Sequence, residues 1–232
     1  MVSAISCNIQ NIRERILKAA LAAGRNGDDV SLVAVTKTRS VREMIEAASC
    51  GVEALAENRV QEALSKHEEW PPELDISWHL VGHLQKNKAR KAAAIFDYIH
   101  SVDSIQLANT LEAILQPEGN IVRILVEVNV GFDPNKNGVL PGDLPFLVEE
   151  ILSDCHSLSL CGFMTVLPLG IDEKMTRTLF ARLRQLREEM VSRFGIPFPE
   201  LSMGMSGDFE YAVMEGSTMV RIGSAIFGER QR

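Results

Sequence analysis

Eight short apolar runs rich in β-branched residues alternate with amphipathic segments along the chain, and few architectures accommodate that order. The runs fall at 31–36, 52–56, 76–81, 98–102, 122–130, 158–165, 201–203 and 219–222. Between and after them, helical periodicity is predicted over 41–49, 60–68, 85–94, 104–115, 144–152, 173–194 and 208–215. A strand that is apolar at nearly every position is buried on both faces, as in a parallel sheet covered by crossover helices. Eight such units favour closure into a barrel. A further stretch over 4–23 carries Ile5, Ile9, Ile12, Ile16, Ala19 and Ala20 at helical spacing and stops at Gly24. The expected fold class is therefore α/β, a single-domain (β/α)8 TIM barrel over 1–232 with an extra N-terminal helix. The chain stops soon after the eighth run, so no second domain is expected.

Composition narrows the function classes. The formal net charge of -7 argues against a general nucleic-acid-binding role, which needs a concentrated positive surface. No run approaches the ~18 apolar residues of a membrane span, and no charged-then-apolar leader opens the sequence. Cys7, Cys50, Cys155 and Cys161 form no C-x-x-C pair and no set at zinc-ligand spacing. They read as reduced, mostly buried thiols, and a cytoplasmic protein is expected.

The first run, Ser31-Leu32-Val33-Ala34-Val35-Thr36, ends abruptly in Lys37. The carboxyl ends of strands are where barrels bind ligands. Desolvation there disfavours the ammonium and frees a neutral amine to attack carbonyl groups. Strand-end lysines also snorkel to water without any chemistry, and from this stretch alone that is the commoner outcome.

Two later segments change the balance. Leu201-Ser202-Met203-Gly204-Met205-Ser206-Gly207-Asp208 is a turn rich in Gly and Ser leading into a helix, and Arg221-Ile222-Gly223-Ser224 repeats that chemistry after the eighth run. Exposed amides with serine hydroxyls suit an anion, and barrels often hold phosphate between the loops after strands seven and eight. A phosphate anchor facing a nucleophilic lysine suits a phosphorylated aldehyde held as a Schiff base, and pyridoxal 5'-phosphate is the obvious cofactor. Arg221 on the eighth strand would face the pyridine nitrogen and keep it unprotonated, which makes the ring a poor electron sink.

The motifs Val33-Ala34-Val35-Thr36-Lys37, Glu57-Asn58-Arg59-Val60-Gln61-Glu62, Trp78-His79-Leu80-Val81-Gly82-His83-Leu84-Gln85-Lys86-Asn87-Lys88, Ser202-Met203-Gly204-Met205-Ser206 and Gly216-Ser217-Thr218-Met219-Val220-Arg221-Ile222-Gly223 occur in that order over nearly the whole chain. Together they resemble the pyridoxal phosphate homeostasis protein family. The resemblance implies a barrel similar to the N-terminal domain of bacterial alanine racemase, with the cofactor on Lys37 and Arg221 facing the ring nitrogen. It also implies that Ser206, Gly223 and Ser224 hold the phosphate and that Asn58 and Met203 line the ring pocket. Ala56 departs from the glycine usual before Glu-Asn in the family, which bears on how Asn58 is placed.

Two functions follow from the resemblance, beside a weaker third reading of a barrel that binds some other phosphorylated metabolite with Lys37 as a simple cation. One is a non-catalytic carrier, expected to be monomeric, which takes part in vitamin B6 and amino-acid homeostasis, with apo pyridoxal phosphate-dependent enzymes as candidate recipients. The other is an amino-acid racemase, which needs acid/base groups on both faces of the substrate carbanion. In related racemases the opposing tyrosine comes from a second domain, and here only Tyr98 and Tyr211 are present. His79 and His83 fall on one side of a strand without a third ligand, so no metal is expected. Lys86, Lys88, Arg90 and Lys91 read as a solvated basic face, and Lys136 as a loop lysine on the same rim as Lys37.

Overall fold

The structure, a computed structural model, describes residues 3–229. Strands β1 (Ser31–Val35), β2 (Ala54–Glu57), β3 (Ser77–Leu80), β4 (Tyr98–Val102), β5 (Val122–Glu127), β6 (Leu158–Met164), β7 (Glu200–Ser202) and β8 (Met219–Ile222) pair in chain order. All pairings are parallel, and β8 returns to β1 with Val33 opposite Arg221, so the sheet closes into a barrel. Helices α2 (Val41–Ser49), α3 (Val60–Glu68), α4 (Ala89–Ala93), α5 (Ile105–Leu115), α6 (Leu144–Asp154), α7 (Glu173–Phe194) and α8 (Phe209–Met214) follow the first seven strands, and a last turn, α9 (Ser224–Phe227), follows the eighth. The barrel, the crossover helices and the extra N-terminal helix α1 (Ala4–Ala22) are those expected from the sequence.

Alternation along each strand separates two apolar layers. Val33, Val35, Ala54, Ala56, Tyr98, Leu125, Met164 and Met219 fill the barrel interior. Leu32, Ala34, Leu55, Trp78, Leu80, Ile99, Phe163 and Leu201 face the helices and belong to the larger core. Helix α1 starts where the Ser3 side chain accepts the Ser6 N–H, buries Ile9, Ile12, Ile16, Ala19 and Ala20, and lies chiefly against α8 and α9.

Several boundaries differ from the sequence reading. The segment 85–94 is not one helix: Lys86–Lys88 form a tight three-residue turn before α4, with Asn87, a poor helix former, at its centre. Strand β5 ends at Glu127, where the Glu127 carbonyl accepts the Val139 N–H and the Asn129 N–H donates to the Val139 carbonyl of the same loop, while the Val128 N–H still donates to Met164 of β6. Helix α5 begins at Ile105 rather than at 104, with Ser104 in the cap position. Of the four cysteines only Cys155 is buried, and Cys7 is exposed.

Candidate functional site

The site lies at the carboxyl ends of the strands. Thr36 continues the β1 ladder by one bond, its N–H donating to the Ala56 carbonyl, and the alternation that turns Val33 and Val35 inward carries the half-buried Lys37 to the mouth of the barrel. Asn58 occupies the matching place after β2, and its Oδ1 is buried without a hydrogen-bond partner. An orphaned buried amide oxygen costs about 1–3 kcal/mol and marks a place where something else is meant to bond. Gly82 fixes the loop after β3 against this residue, since a Cβ there would come within 2.2 Å of the Asn58 carbonyl oxygen.

The loops after β7 and β8 meet as the sequence suggests. The Ala225 N–H donates to Ser206 Oγ at 3.2 Å, which ties the two loops together. Gly223 sits against the end of β1, and a Cβ there would lie 3.3 Å from the Val35 carbonyl oxygen. The half-buried Gly223 and Ser206 and the exposed Ser224 therefore border the strand that carries Lys37. Gly204, with φ +99°, turns the chain after β7 and accepts the Arg221 N–H. Met203 goes elsewhere: its side chain is fully buried in the layer between barrel and helices, and Ser202 takes the inward position.

Arg221 is 4% exposed and spans the barrel interior beneath the mouth. Its Nη1 donates to Ser202 Oγ at 2.6 Å and its Nη2 to the Thr165 carbonyl at 2.8 Å. Burial lowers its pKa to about 10, against the pull of Glu127 and Asp208. From Ser202 a chain of bonds continues through His100 Nδ1 (2.9 Å), from His100 Nε2 to His79 Nδ1 (2.9 Å), from His79 Nε2 to Ser77 Oγ (3.1 Å), and on to Asp97 Oδ2 (3.4 Å). Burial lowers His79 to about 3 and holds His100 well below the ordinary range, so both rings are neutral. Arginine can only donate and an ionised carboxylate can only accept, so each link has one sense, with both rings protonated on Nε2.

Glu127 also faces the mouth, at the end of β5. Burial raises its pKa to about 7, Asp103 adding to the rise while Arg221 and Lys136 oppose it. The half-buried Lys136 thus lies within electrostatic reach of the site rather than apart from it. Sequence reading missed Glu127, although it carries the same signal as Lys37, a charged residue closing an apolar strand run. Ser202, Thr165 and His100 had no such signal, since their contacts join residues 19 to 102 positions apart.

Other candidates lie apart. His79 is inside the barrel, whereas His83 is exposed, 3.5 Å from Asp103. Among the described residues no group of three or more His, Cys, Asp or Glu could hold a metal ion, and no helix is long and apolar enough to cross a membrane. Lys86, Arg90 and Lys91 are exposed, and Lys88 is half-buried. A cavity of ≈ 1100 Å³ lies at the opposite end of the barrel, lined by Ser31, Ser77, His79, Tyr98, Arg123 and residues of α1.

The family model described as alanine racemase, N-terminal domain, matches residues 3–231. The pyridoxal phosphate homeostasis protein of Aquifex aeolicus is 38% identical over 96% of this chain and 97% of its own length. That of Synechocystis is 40% identical over 87% and 92%, and that of Mus musculus 37% identical over 96% and 85%. PipY of Synechococcus elongatus, solved with PLP bound, is 38% identical, with a TM-score of 0.82 over 94% of this chain and all of that one. An alanine racemase of Clostridium difficile shares the fold alone, at 16% identity with a TM-score of 0.72. The chain belongs to the pyridoxal phosphate homeostasis protein family.

Proposed function

We propose that this protein binds pyridoxal 5'-phosphate at the carboxyl mouth of the barrel, reversibly attached to Lys37, and serves vitamin B6 and amino-acid homeostasis as a carrier without turnover of its own. The observation that carries the reading is the meeting of two anchors: Gly223, in the loops joined by Ser206 and Ala225, sits against the carbonyl of Val35, two residues before Lys37. Those loops offer serine hydroxyls and main-chain amides to a phosphate, and Lys37 offers an amine to the aldehyde carbon. The amine replaces the aldehyde oxygen with loss of water, and hydrolysis reverses the bond, so the cofactor can be handed on. The orphaned Oδ1 of Asn58 fits a polar ring substituent, and Arg221 offers a donor-only group beneath the ring.

When bound, the cofactor supplies an aldehyde and an electron-poor ring. The chain's own residues support holding that ring rather than working it. Arg221 presents N–H donors, which favour an unprotonated ring nitrogen. Neither tyrosine stands ready as an opposing acid: Tyr98 faces the amino-terminal cavity, and the Tyr211 hydroxyl donates to Glu173 at 3.0 Å. Recipient apo-enzymes, a monomeric state and a cytoplasmic location belong to the same proposal.

Borohydride reduction followed by peptide mapping tests the attachment. The label is expected on Lys37 and lost in Lys37→Ala, with the fold intact; a label on Lys136 or Lys86 overturns the assignment. The carrier role is tested by α-proton exchange in deuterated water across L- and D-amino acids. Lys37-dependent exchange on the order of 1 per second or faster overturns it in favour of a racemase.

A further inference from the structure

Behind Lys37, in the layer between β2 and α3, lies a buried group of charges that cofactor contact does not explain. Lys66 Nζ donates to Glu57 Oε1 at 2.6 Å, to Glu62 Oε1 at 2.7 Å and to the Thr36 carbonyl at 2.7 Å. Glu57 is completely buried and also accepts from Thr36 Oγ1 at 2.7 Å, while its Oε2 has no partner. Burial pushes the Glu57 carboxyl up, against the pull of Lys66 and Thr36. Glu62 Oε1 accepts the N–H of Thr38. Burial pushes Glu62 up as well, but its bonds to Lys66 and Thr38 outweigh that and hold it below the ordinary range.

The two main-chain groups gripped here, the Thr36 carbonyl and the Thr38 N–H, flank Lys37 on either side. The Arg39 N–H also donates to the Thr36 carbonyl, so Lys37 and Thr38 form the middle of a tight turn. Thr38 sits at φ +63°, a conformation that a β-branched residue adopts only when its surroundings impose it. Two buried charges and a half-buried one are a poor way to gain stability, since apolar replacements of similar shape often do as well or better. Their geometry serves something else.

We propose that Lys66 is a positioning residue for Lys37, bracing the turn through Glu57 and Glu62 so that the amine meets the aldehyde carbon of a phosphate-anchored ligand. This rests on Lys37 being the attachment point. An amine held in place gains effective concentration, and displacement of about 1 Å forfeits much of it. The brace therefore acts on the covalent equilibrium and not on non-covalent capture of the phosphate.

The experiment separates those two quantities with pyridoxal 5'-phosphate as the probe. In Glu62→Ala, which leaves the Lys66–Glu57 pair intact, the borohydride-trapped fraction on Lys37 at sub-saturating ligand is expected to fall roughly tenfold, the scale of one charge-assisted hydrogen bond. In a Lys37→Ala background, the same change is expected to leave non-covalent affinity unaltered. Glu62→Gln, which keeps an oxygen for the Thr38 N–H, is expected to recover part of the trapped fraction. Should Glu62→Ala fold poorly, the apolar pair Glu57→Leu with Lys66→Met removes the buried half of the brace, leaving the partly exposed Glu62 on the Thr38 N–H, and a smaller loss with the same split is expected. Unchanged trapping overturns the inference, as does an equal loss in the Lys37→Ala background. If the wild-type label falls on a residue other than Lys37, the attachment reading itself is overturned and this one with it.

Discussion

At its amino-terminal end the barrel opens on a cavity of ≈ 1100 Å³, and there the polar side chains satisfy one another. The Arg123 guanidinium lies 4.5 Å over the Tyr98 ring, Thr218 Oγ1 donates to Glu200 Oε2 at 2.6 Å, and Ser77 links His79 to Asp97. At the carboxyl end the polar groups are left short of partners or shifted: Asn58 Oδ1 and Glu57 Oε2 are orphaned, Glu127 is raised to about 7, and Thr38 has a positive φ. Cavity size and chemical readiness are separate properties of a barrel. Groups that satisfy one another hold structure, whereas groups left short of partners await a ligand.

The sharpest way to break this contrast compares one arginine from each end. Arg221→Met removes the donor at the head of the Ser202–His100–His79 chain and the positive charge that Glu127 and Asp208 face. Removing one partner from a buried charged network costs about 3–5 kcal/mol. Arg123→Met removes an exposed guanidinium whose contact with Tyr98 is worth about 0.5–1 kcal/mol. Urea denaturation of the ligand-free variants reads both values. Equal losses would mean that the two ends are energetically alike.

A second test uses pH. Glu127 has a folded pKa near 7, above its ordinary value of 4.5, so the folded state binds a proton in that window that the unfolded state has released. Its contribution to stability is therefore fully present below about pH 4.5 and is lost as pH rises through about 7, a difference of roughly 3 kcal/mol. Glu127→Gln should flatten the fall in ligand-free stability between those limits and leave the variant more stable than wild type at pH 8. A wild-type profile already flat across this window would show that Glu127 is not held in its acid form.

The sequence made the barrel legible because its strands are buried on both faces and read as unbroken apolar runs. Lys37 and Arg221 stood out as charges closing or interrupting such runs. Glu127 escaped because the run around it was carried on to Val130, across the point where Glu127 and Asn129 take up main-chain bonds with Val139 of the following loop. Lys66 was illegible for a different reason: on α3 it looks like any solvated lysine, and only the fold brings Glu57 from β2 against it. Met203 was placed from the family pattern. Alternation along β7, with Leu201 facing outward, already assigned the inward position to Ser202.

The last expected effect, on binding rather than stability, concerns the phosphate anchor, and it tests whether the carboxyl end recognises an anion or merely packs its loops. Ser206 Oγ accepts the Ala225 N–H, so its hydroxyl hydrogen can be offered to a ligand while the oxygen holds the two loops together. Ser206→Ala should weaken pyridoxal 5'-phosphate by about 1–2 kcal/mol, the scale of a hydrogen bond to a charged group. Unphosphorylated pyridoxal makes no such bond, so its affinity should change far less. Isothermal titration of both ligands against wild type and variant gives the comparison. A parallel loss for the two ligands would assign Ser206 to loop structure alone, and the phosphate would then depend on the amides around Gly223 and on Ser224.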